Sequence, residues 1–216
     1  MHDDLAAELP PLSRLALAYA PRHARHAHGA LLALDARLAS ILRQKREPLL
    51  TQMRLAWWRD TLGGPPSGWP HGDPQLDAFR SWRDPAEIAA LVDGWEVMLG
   101  ERLDAPAIKQ FAEGRERAFA ALARQLDRPA GAAVAGQAAR VWALADLAAN
   151  LSDPGEKQAV LAIAREHGAP PGLPRVLRPL AVLAGLGHVA LARGGTPLLA
   201  RPADMLTALR IGMLGR

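Results

Sequence analysis

The acidic residues of the N-terminal half lie where a helical metal site could form, but they are not paired. Asp35 sits at the edge of the apolar face of a helix predicted over residues 29–46. Two carboxylates four residues apart project side by side and can bind one cation together. Position 39 is Ala, so this helix lacks such a pair. We therefore predict no metal-ligating and no catalytic residue in the chain.

A second acid, Asp60, ends the W-W-R-D run of the helix predicted over residues 48–62. Apolar residues occupy two sides of that helix, which predicts a central, largely buried element. Asp60 falls among apolar positions, so its carboxylate should enter the interior and need a cationic partner. Arg115 lies in the middle of the apolar face of another predicted helix and is the expected partner. Asp60 is the first candidate for this pair and Asp35 the second, either as a structural ion pair or as ligand-binding residues.

A third group of polar residues lies on the helix predicted over residues 131–151. Trp142, Asp146, Asn150 and Asp153 share one face there, opposite an apolar face. This face is interpreted either as a thinned-out metal motif or as a solvated surface. The candidate ligand-binding residues of the whole chain are thus Asp35, Asp60, Arg115, Asp146, Asn150 and Asp153.

Three histidines, His23, His26 and His28, cluster in the segment APRHARHAHG. Their spacing could supply imidazole ligands to a transition metal. The segment has no Cys or nearby acid to complete a site, and Pro21 and Arg22 indicate a turn into a helix. The cluster is therefore read as an exposed basic corner, with a metal site as the alternative.

The candidate acids, Arg115 and the histidines are all placed on predicted helices. Helices are also the one kind of secondary structure that the sequence predicts. Ala, Leu, Arg and Glu dominate, β-branched residues are scarce, and no stretch alternates apolar and polar residues with period two. The fold class is all-α, with residues 1–216 as a single domain. Pro- and Gly-rich residues 63–74 are interpreted as a surface excursion. Helices are predicted over residues 5–19, 29–46, 48–62, 85–100, 105–126, 131–151, 154–166, 175–193 and 202–214.

Composition limits the function classes. The chain has no Cys, which excludes disulfides, Cys-based zinc sites and thiol nucleophiles. Its net charge of +4 could suit phosphates or acidic lipid, but the arginines are spread along the chain rather than clustered, so no nucleic-acid partner is expected. The N-terminus has acids where a signal peptide needs bases, and no apolar run reaches the length of a membrane span. A cytoplasmic protein is the simplest expectation.

Four segments carry a resemblance to a known family. They are ALLALDARLASILRQKREPLLTQMRLAWWRDTL, DGWEVMLGE, FAEGRERAF and the closing RIGMLGR. In this order they resemble the squalene/phytoene synthase superfamily, specifically its non-classical branch, which includes an assembly factor for respiratory complex I. The resemblance implies a helical bundle of the isoprenoid synthase type. It also implies a cavity in which active members use two aspartate-rich motifs to hold magnesium ions and prenyl diphosphates.

This chain departs from the family pattern at the first motif. The family's D-D-x-x-D falls on Ala39, Ser40, Ile41, Leu42 and Arg43, and none of these is acidic. The second motif falls near Asp146, Asn150 and Asp153. We therefore expect a catalytically silent pseudoenzyme without cofactor that binds a protein partner or an isoprenoid-type lipid, acts in respiratory complex I assembly and contacts the inner membrane peripherally. The alternative is a prenyltransferase that condenses prenyl diphosphates at a degenerate magnesium site.

Overall fold

Helices account for the architecture of the chain. A computed structural model describes residues 9–44 and 48–215, and this part contains ten α-helices and no strand. The prediction of an all-α single domain is confirmed. The predicted helical residues 5–8, 45 and 46 lie outside the described residues. The helices are α1 (Pro11–Ala18), α2 (Arg22–Arg43), α3 (Pro48–Gly63), α4 (Pro74–Phe79), α5 (Ala89–Glu96), α6 (Ala105–Gln125), α7 (Ala132–Asn150), α8 (Pro154–Arg165), α9 (Arg178–Ala192) and α10 (Pro202–Leu214).

The antiparallel neighbours α6 and α7 form the centre of the molecule and make its most extensive helix–helix contact. On one side α5 packs against α6, and on the other α9 packs against α7. A large apolar cluster joins α1, α2 and these central helices, and a smaller one lies between α6, α7 and α8. The apolar faces predicted on the helical wheel therefore meet in these two clusters, and the helix packing positions the polar residues that lie among them.

Two glycines bring α5 and α6 into backbone contact. A Cβ added at Gly114 would lie 2.6 Å from the carbonyl oxygen of Ala90 and 2.9 Å from the Cα of Gly94. Glycine at position 114 permits this approach, and a Cβ at Gly94 would also be tight, at 3.1 Å from the Cα of Gly114. Trp95 and Arg115 directly follow the two glycines in the chain, so the close packing also brings their side chains together.

The prediction that the three histidines lie at an exposed turn before a helix was wrong. Helix α2 begins at Arg22 rather than near Gly29, so the three histidines lie inside the helix and not at a turn. His23 and His26 are exposed, whereas His28 is fully buried. Pro21 precedes the helix and Ala24 and Ala27 pack inward, which extends the apolar face by two turns beyond the predicted start.

Residues 63–74, which were predicted to form a surface excursion, are partly buried in the structure. Trp69 is buried, and its Nε1 donates to the carbonyl oxygen of Gly64. Asp73 then caps the short helix α4, which the sequence analysis missed, by accepting from the backbone N–H groups of Gln75 and Leu76. The buried Gln75 donates to the carbonyl oxygen of Ala30 and ties this segment to α2.

Helix α3 is not the central buried element that its two apolar sides predicted. Only the side that contains Leu55, Trp58 and Leu62 is buried. The other side is exposed to solvent over Leu49, Leu50, Met53 and Trp57. Helix α3 therefore lies at the surface of the bundle with one of its two apolar sides exposed.

One segment, Arg175–Ala192, is long and apolar enough to cross a membrane by length and composition. It comprises a 3₁₀ turn and helix α9. Just over half of it, 56%, is buried inside the fold, where α9 packs against α7, α10 and α1. These contacts are typical of the core helix of a bundle.

Candidate functional site

The centre of the candidate site is the guanidinium of Arg115, which joins acids from two other helices. Arg115 lies on α6, and its Nε and Nη2 donate to the two carboxylate oxygens of Asp35 on α2, each at 2.9 Å. Nη2 also donates to Oδ2 of Asp146 on α7 at 2.8 Å. A planar guanidinium fits a carboxylate in this bidentate manner. The prediction that Arg115 meets an inward acid is confirmed, and the acid is Asp35, the second candidate.

Aromatic rings enclose the same guanidinium. Its central carbon lies 4.2 Å from the ring centroid of Trp142, 5.0 Å from that of Phe111 and 5.3 Å from that of Trp95. Such distances give a favourable interaction between a cation and the faces of the rings. Trp95 also fixes the acid, because its Nε1 donates to Oδ1 of Asp35 at 2.9 Å. Arg115 is thus held by two carboxylates and three rings.

Burial and charge act against each other at Arg115. Burial alone would lower the pKa of Arg115, but the charges and hydrogen bonds of Asp35 and Asp146 more than offset it, so the pKa lies above its ordinary value. The residue is only 2% exposed. Arg115 therefore stays charged, and the three residues together carry a formal charge of −1.

The pair predicted between Asp60 and Arg115 was wrong. The side chain of Asp60 is 77% exposed and lies 3.7 Å from Nε of its neighbour Arg59. The error follows from the prediction for α3, because the face that was expected to enter the core is the exposed one. Arg59 itself pairs with Glu96 of α5.

The structure separates the acids predicted on α7. Asp146 lines the site, and Asn150 donates from its Nδ2 to the backbone oxygen of Asp146 and to Oδ1 at 3.3 Å. Asp153 is not part of the site, because α7 ends at Asn150 and Asp153 caps α8 by accepting from the N–H of Glu156. Trp142 is buried, so this face of α7 is not simply solvated.

A pocket of about 500 Å³ opens over the Arg115 cluster. Its size is within the range of small-molecule sites. Helix α2 contributes the positions Ala39, Leu42 and Arg43, and α1 contributes Leu12. The charged side chains of the lining are Asp35, Asp146, Arg115 and Arg43, and most of the remaining lining is apolar.

The histidines do not assemble a metal site. In the described ranges, no group of three or more His, Asp or Glu side chains is placed so that it could hold a metal ion. His28 faces away from His23, and its Nε2 donates to the carbonyl oxygen of Val176 at 2.9 Å. Burial lowers the pKa of His28 to about 4, although the hydrogen bond to Val176 partly opposes this. His28 is therefore a neutral core residue that joins α2 to the segment before α9.

Two residues of the site were not predicted from the sequence. Trp95 binds Asp35, and Phe111 lies against the guanidinium. The sequence feature that could have indicated Trp95 is the pair of glycines, Gly94 and Gly114, because Trp95 directly follows the first and Arg115 the second. A helical wheel describes one helix at a time, so it does not show which helices a glycine pair brings together.

Comparisons of the chain with protein-family models, with curated proteins and with solved structures found no match.

Proposed function

We propose that this protein binds an isoprenoid-type lipid in the pocket over Arg115 and does not turn it over. One observation carries the proposal: the guanidinium of Arg115 occupies the space between the carboxylates of Asp35 and Asp146. A divalent cation that joined these two acids would need the same space and the same oxygens. The guanidinium of Arg115 would have to leave this position first, and its buried charge would then have no partner.

The lining of the pocket supports a lipid as the ligand. Leucines 12, 42, 147 and 151, Met98 and three aromatic rings surround its volume. An apolar chain that fills such a space is removed from water, which is the main favourable term in binding of this kind. The isoprenoid class comes from the resemblance in sequence, and the pocket includes the positions Ala39, Leu42 and Arg43 at which that resemblance had indicated a lost acidic motif.

The experiment combines a turnover assay with a binding assay. The purified protein is incubated with Mg²⁺ and farnesyl diphosphate, and released pyrophosphate is measured. We expect no release above the buffer blank. Binding of farnesol is followed by the intrinsic fluorescence of the six tryptophans, two of which, Trp95 and Trp142, line the pocket, and we expect saturable quenching.

The alternative, a prenyltransferase at a degenerate magnesium site, predicts the opposite result in the turnover assay. Pyrophosphate release that is lost in Asp146→Asn but kept in Asp153→Asn would support the enzyme and reject the silent binder. Asp153 is a matched control because it is an acid outside the pocket. Absence of any farnesol binding would reject the lipid.

A second candidate function, the binding of a protein partner, rests on two exposed apolar stripes. On α3 the stripe is Leu49, Leu50, Met53 and Trp57, and on α10 it is Met205, Leu206, Leu209 and Met213. The two stripes have the same spacing, and each has an Arg five residues after its first member, at Arg54 and Arg210. Exposed apolar groups in contiguous patches are typical of interaction surfaces.

Under the resemblance, the partner would belong to assembling respiratory complex I, at the inner membrane. The test places a photo-cross-linking amino acid at position 53 or 209 in the full chain. Cross-links to complex I subunits from both positions, but not from exposed position 117 as a control, are expected. Cross-linking that is equal at all three positions would contradict a role for the stripes.

A further inference from the structure

The charges of the buried cluster of Asp35, Arg115 and Asp146 do not balance, and its surplus is negative. Asp35 and Asp146 each carry a negative charge, and Arg115 supplies one positive charge between them. Asp35 is satisfied, because both of its oxygens accept from Arg115 and one also accepts from Trp95. The uncompensated charge of the cluster therefore falls on Asp146.

Asp146 is also the acid of the cluster that a ligand can reach. Its side chain is 26% exposed, against 8% for Asp35. Oδ2 accepts from Arg115, and within residues 9–44 and 48–215 the one side-chain bond to Oδ1 is a long one from Asn150, at 3.3 Å. A carboxylate offers about four lone-pair sites. Asp146 therefore retains capacity to accept hydrogen bonds from a group in the pocket.

The donors of the cluster are closed to a ligand. Nη1 of Arg115 and Nε1 of Trp142 have no hydrogen-bond partner among residues 9–44 and 48–215, but both atoms are buried. A head group in the pocket does not touch them without a rearrangement. Arg43 is the remaining cation of the lining, and it is exposed at the rim, where water screens its charge. The lining also contains Ser13 and Asn150, whose neutral groups can donate as well as accept hydrogen bonds. The charged group that a ligand meets inside the pocket is therefore the carboxylate of Asp146.

We infer that the ligand enters with a head group that donates hydrogen bonds to Asp146 and carries no negative charge, namely a hydroxyl or a protonated amine at the end of an apolar chain. This inference rests on the proposed lipid-binding function and narrows its ligand. A phosphate or diphosphate head would bring further negative charge and only acceptors against Asp146. In a partly buried site such repulsion is weakly screened.

The test compares four molecules with the same tail: farnesol, farnesylamine, farnesyl diphosphate and the hydrocarbon farnesene. Equilibrium binding to the full chain is measured by tryptophan fluorescence and by calorimetry, without divalent metal. We expect farnesol and farnesylamine to bind at least about tenfold more tightly than farnesyl diphosphate. Farnesene should bind more weakly than farnesol, because it makes no bond to Asp146.

The variant Asp146→Asn removes the surplus charge with little change in shape. Of the four ligands, farnesylamine should lose the most affinity in this variant. The affinity for farnesyl diphosphate should come closer to the affinity for farnesol. Asp153→Asn changes the net charge by the same amount outside the pocket and should leave the order of affinities unchanged. Circular dichroism of both variants checks that the helices are retained, and the order of affinities in the wild-type protein tests the inference even if Asp146→Asn does not fold.

The outcomes separate the inference from the function on which it rests. If farnesyl diphosphate binds as tightly as farnesol or more tightly, the donor head is overturned while lipid binding stands. If farnesene binds as tightly as farnesol, the bond to Asp146 is overturned in the same way. If none of the four binds the wild-type protein, both the inference and the proposed function are rejected.

Discussion

Arg115 is held more completely than any other charged side chain of the described chain, since two carboxylates and three aromatic rings contact it. It donates hydrogen bonds to Asp35 and Asp146. Asp35 is buried, so water would not replace the bonds to Asp35 if Arg115 were lost. A buried pair of this kind contributes little net stability against a well-packed apolar alternative, but loss of one partner leaves an unpaired charge in the interior. The residue therefore acts as a structural cation at the floor of the pocket.

A double-mutant cycle tests which acid Arg115 binds. Arg115→Met should lower the free energy of unfolding by about 3–5 kcal/mol, because it leaves Asp35 buried and unpaired. Asp35→Asn in the same background should then have a much smaller effect than alone. The control is Asp60→Asn, which should change stability by less than about 0.5 kcal/mol. Urea unfolding gives these values, and a coupling of Arg115 to Asp60 rather than to Asp35 would refute the assigned pair.

The buried His28 predicts how the stability of the protein depends on pH. The pKa of His28 is lowered from an ordinary value of 6.5, which applies to the unfolded chain, to about 4 in the folded chain, because burial disfavours the imidazolium. The unfolded state therefore binds the proton first as pH falls. The contribution of neutral His28 to the free energy of unfolding is complete above pH 6.5. It decreases between pH 6.5 and 4, by roughly 3 kcal/mol in total.

The measurement is urea unfolding of wild-type protein and His28→Gln from pH 7.5 to 4. The variant keeps an amide donor for the carbonyl of Val176 but has no proton to bind, so its stability should depend less on pH. The exposed His23→Gln serves as the control and should keep the slope of the wild-type protein. Equal slopes in all three proteins would show that His28 is not the titrating group.

At the scale of elements, much of the fold could be predicted from the sequence. Proline and aspartate mark the starts of α6 and α8, and the apolar faces of α2 and α6 were identified with Asp35 and Arg115 in place. Contacts between helices could not be predicted in this way, since the wheel treats each helix alone. Helix α3 shows the consequence: two apolar sides indicate a buried helix, but the structure buries only one.

Helix α3 gives a direct test of that correction. Leu55→Ala should lower the free energy of unfolding by about 2–5 kcal/mol, because it leaves a cavity in the core. Met53→Ala, on the same helix but 59% exposed, should change it by less than about 0.5 kcal/mol. Chemical denaturation compares the two variants. A loss at Met53 equal to that at Leu55 would mean that both sides of α3 are buried.

The glycine contact of α5 and α6 makes a further prediction. Gly114→Ala places a methyl group against the backbone of Ala90 and Gly94, so the helices must separate, and stability should fall by about 1–3 kcal/mol. The shift should also loosen the bond of Trp95 to Asp35, which tryptophan fluorescence would report. Gly63→Ala, where a Cβ meets nothing within 4 Å, is the matched control. Unchanged stability in Gly114→Ala would contradict the close approach.

In the whole molecule, the ten helices of residues 9–44 and 48–215 hold a cluster of two acids and one arginine, with a net charge of −1, beneath a largely apolar pocket. The sequence predicted the fold class and most of the residues of the cluster, but not its assembly, because Asp35, Arg115 and Asp146 come together only through the packing of α2, α6 and α7. The resemblance implied a cavity, but no pattern of residues in the sequence located the pocket. Its existence depends on which side chains fail to fill the space between these helices.

A lipid site over Arg115 is tested by the equilibrium binding of farnesol to a variant whose pocket is filled by a larger side chain. Ala39 lines the pocket from α2, and Ala39→Phe should occupy part of its volume. Ala203→Phe adds the same side chain at an exposed position of α10 and is the control. We expect saturable binding by the wild-type protein and the control, and affinity at least about tenfold lower in Ala39→Phe. Equal affinity in all three proteins, or no binding by the wild-type protein, would contradict a lipid site over Arg115.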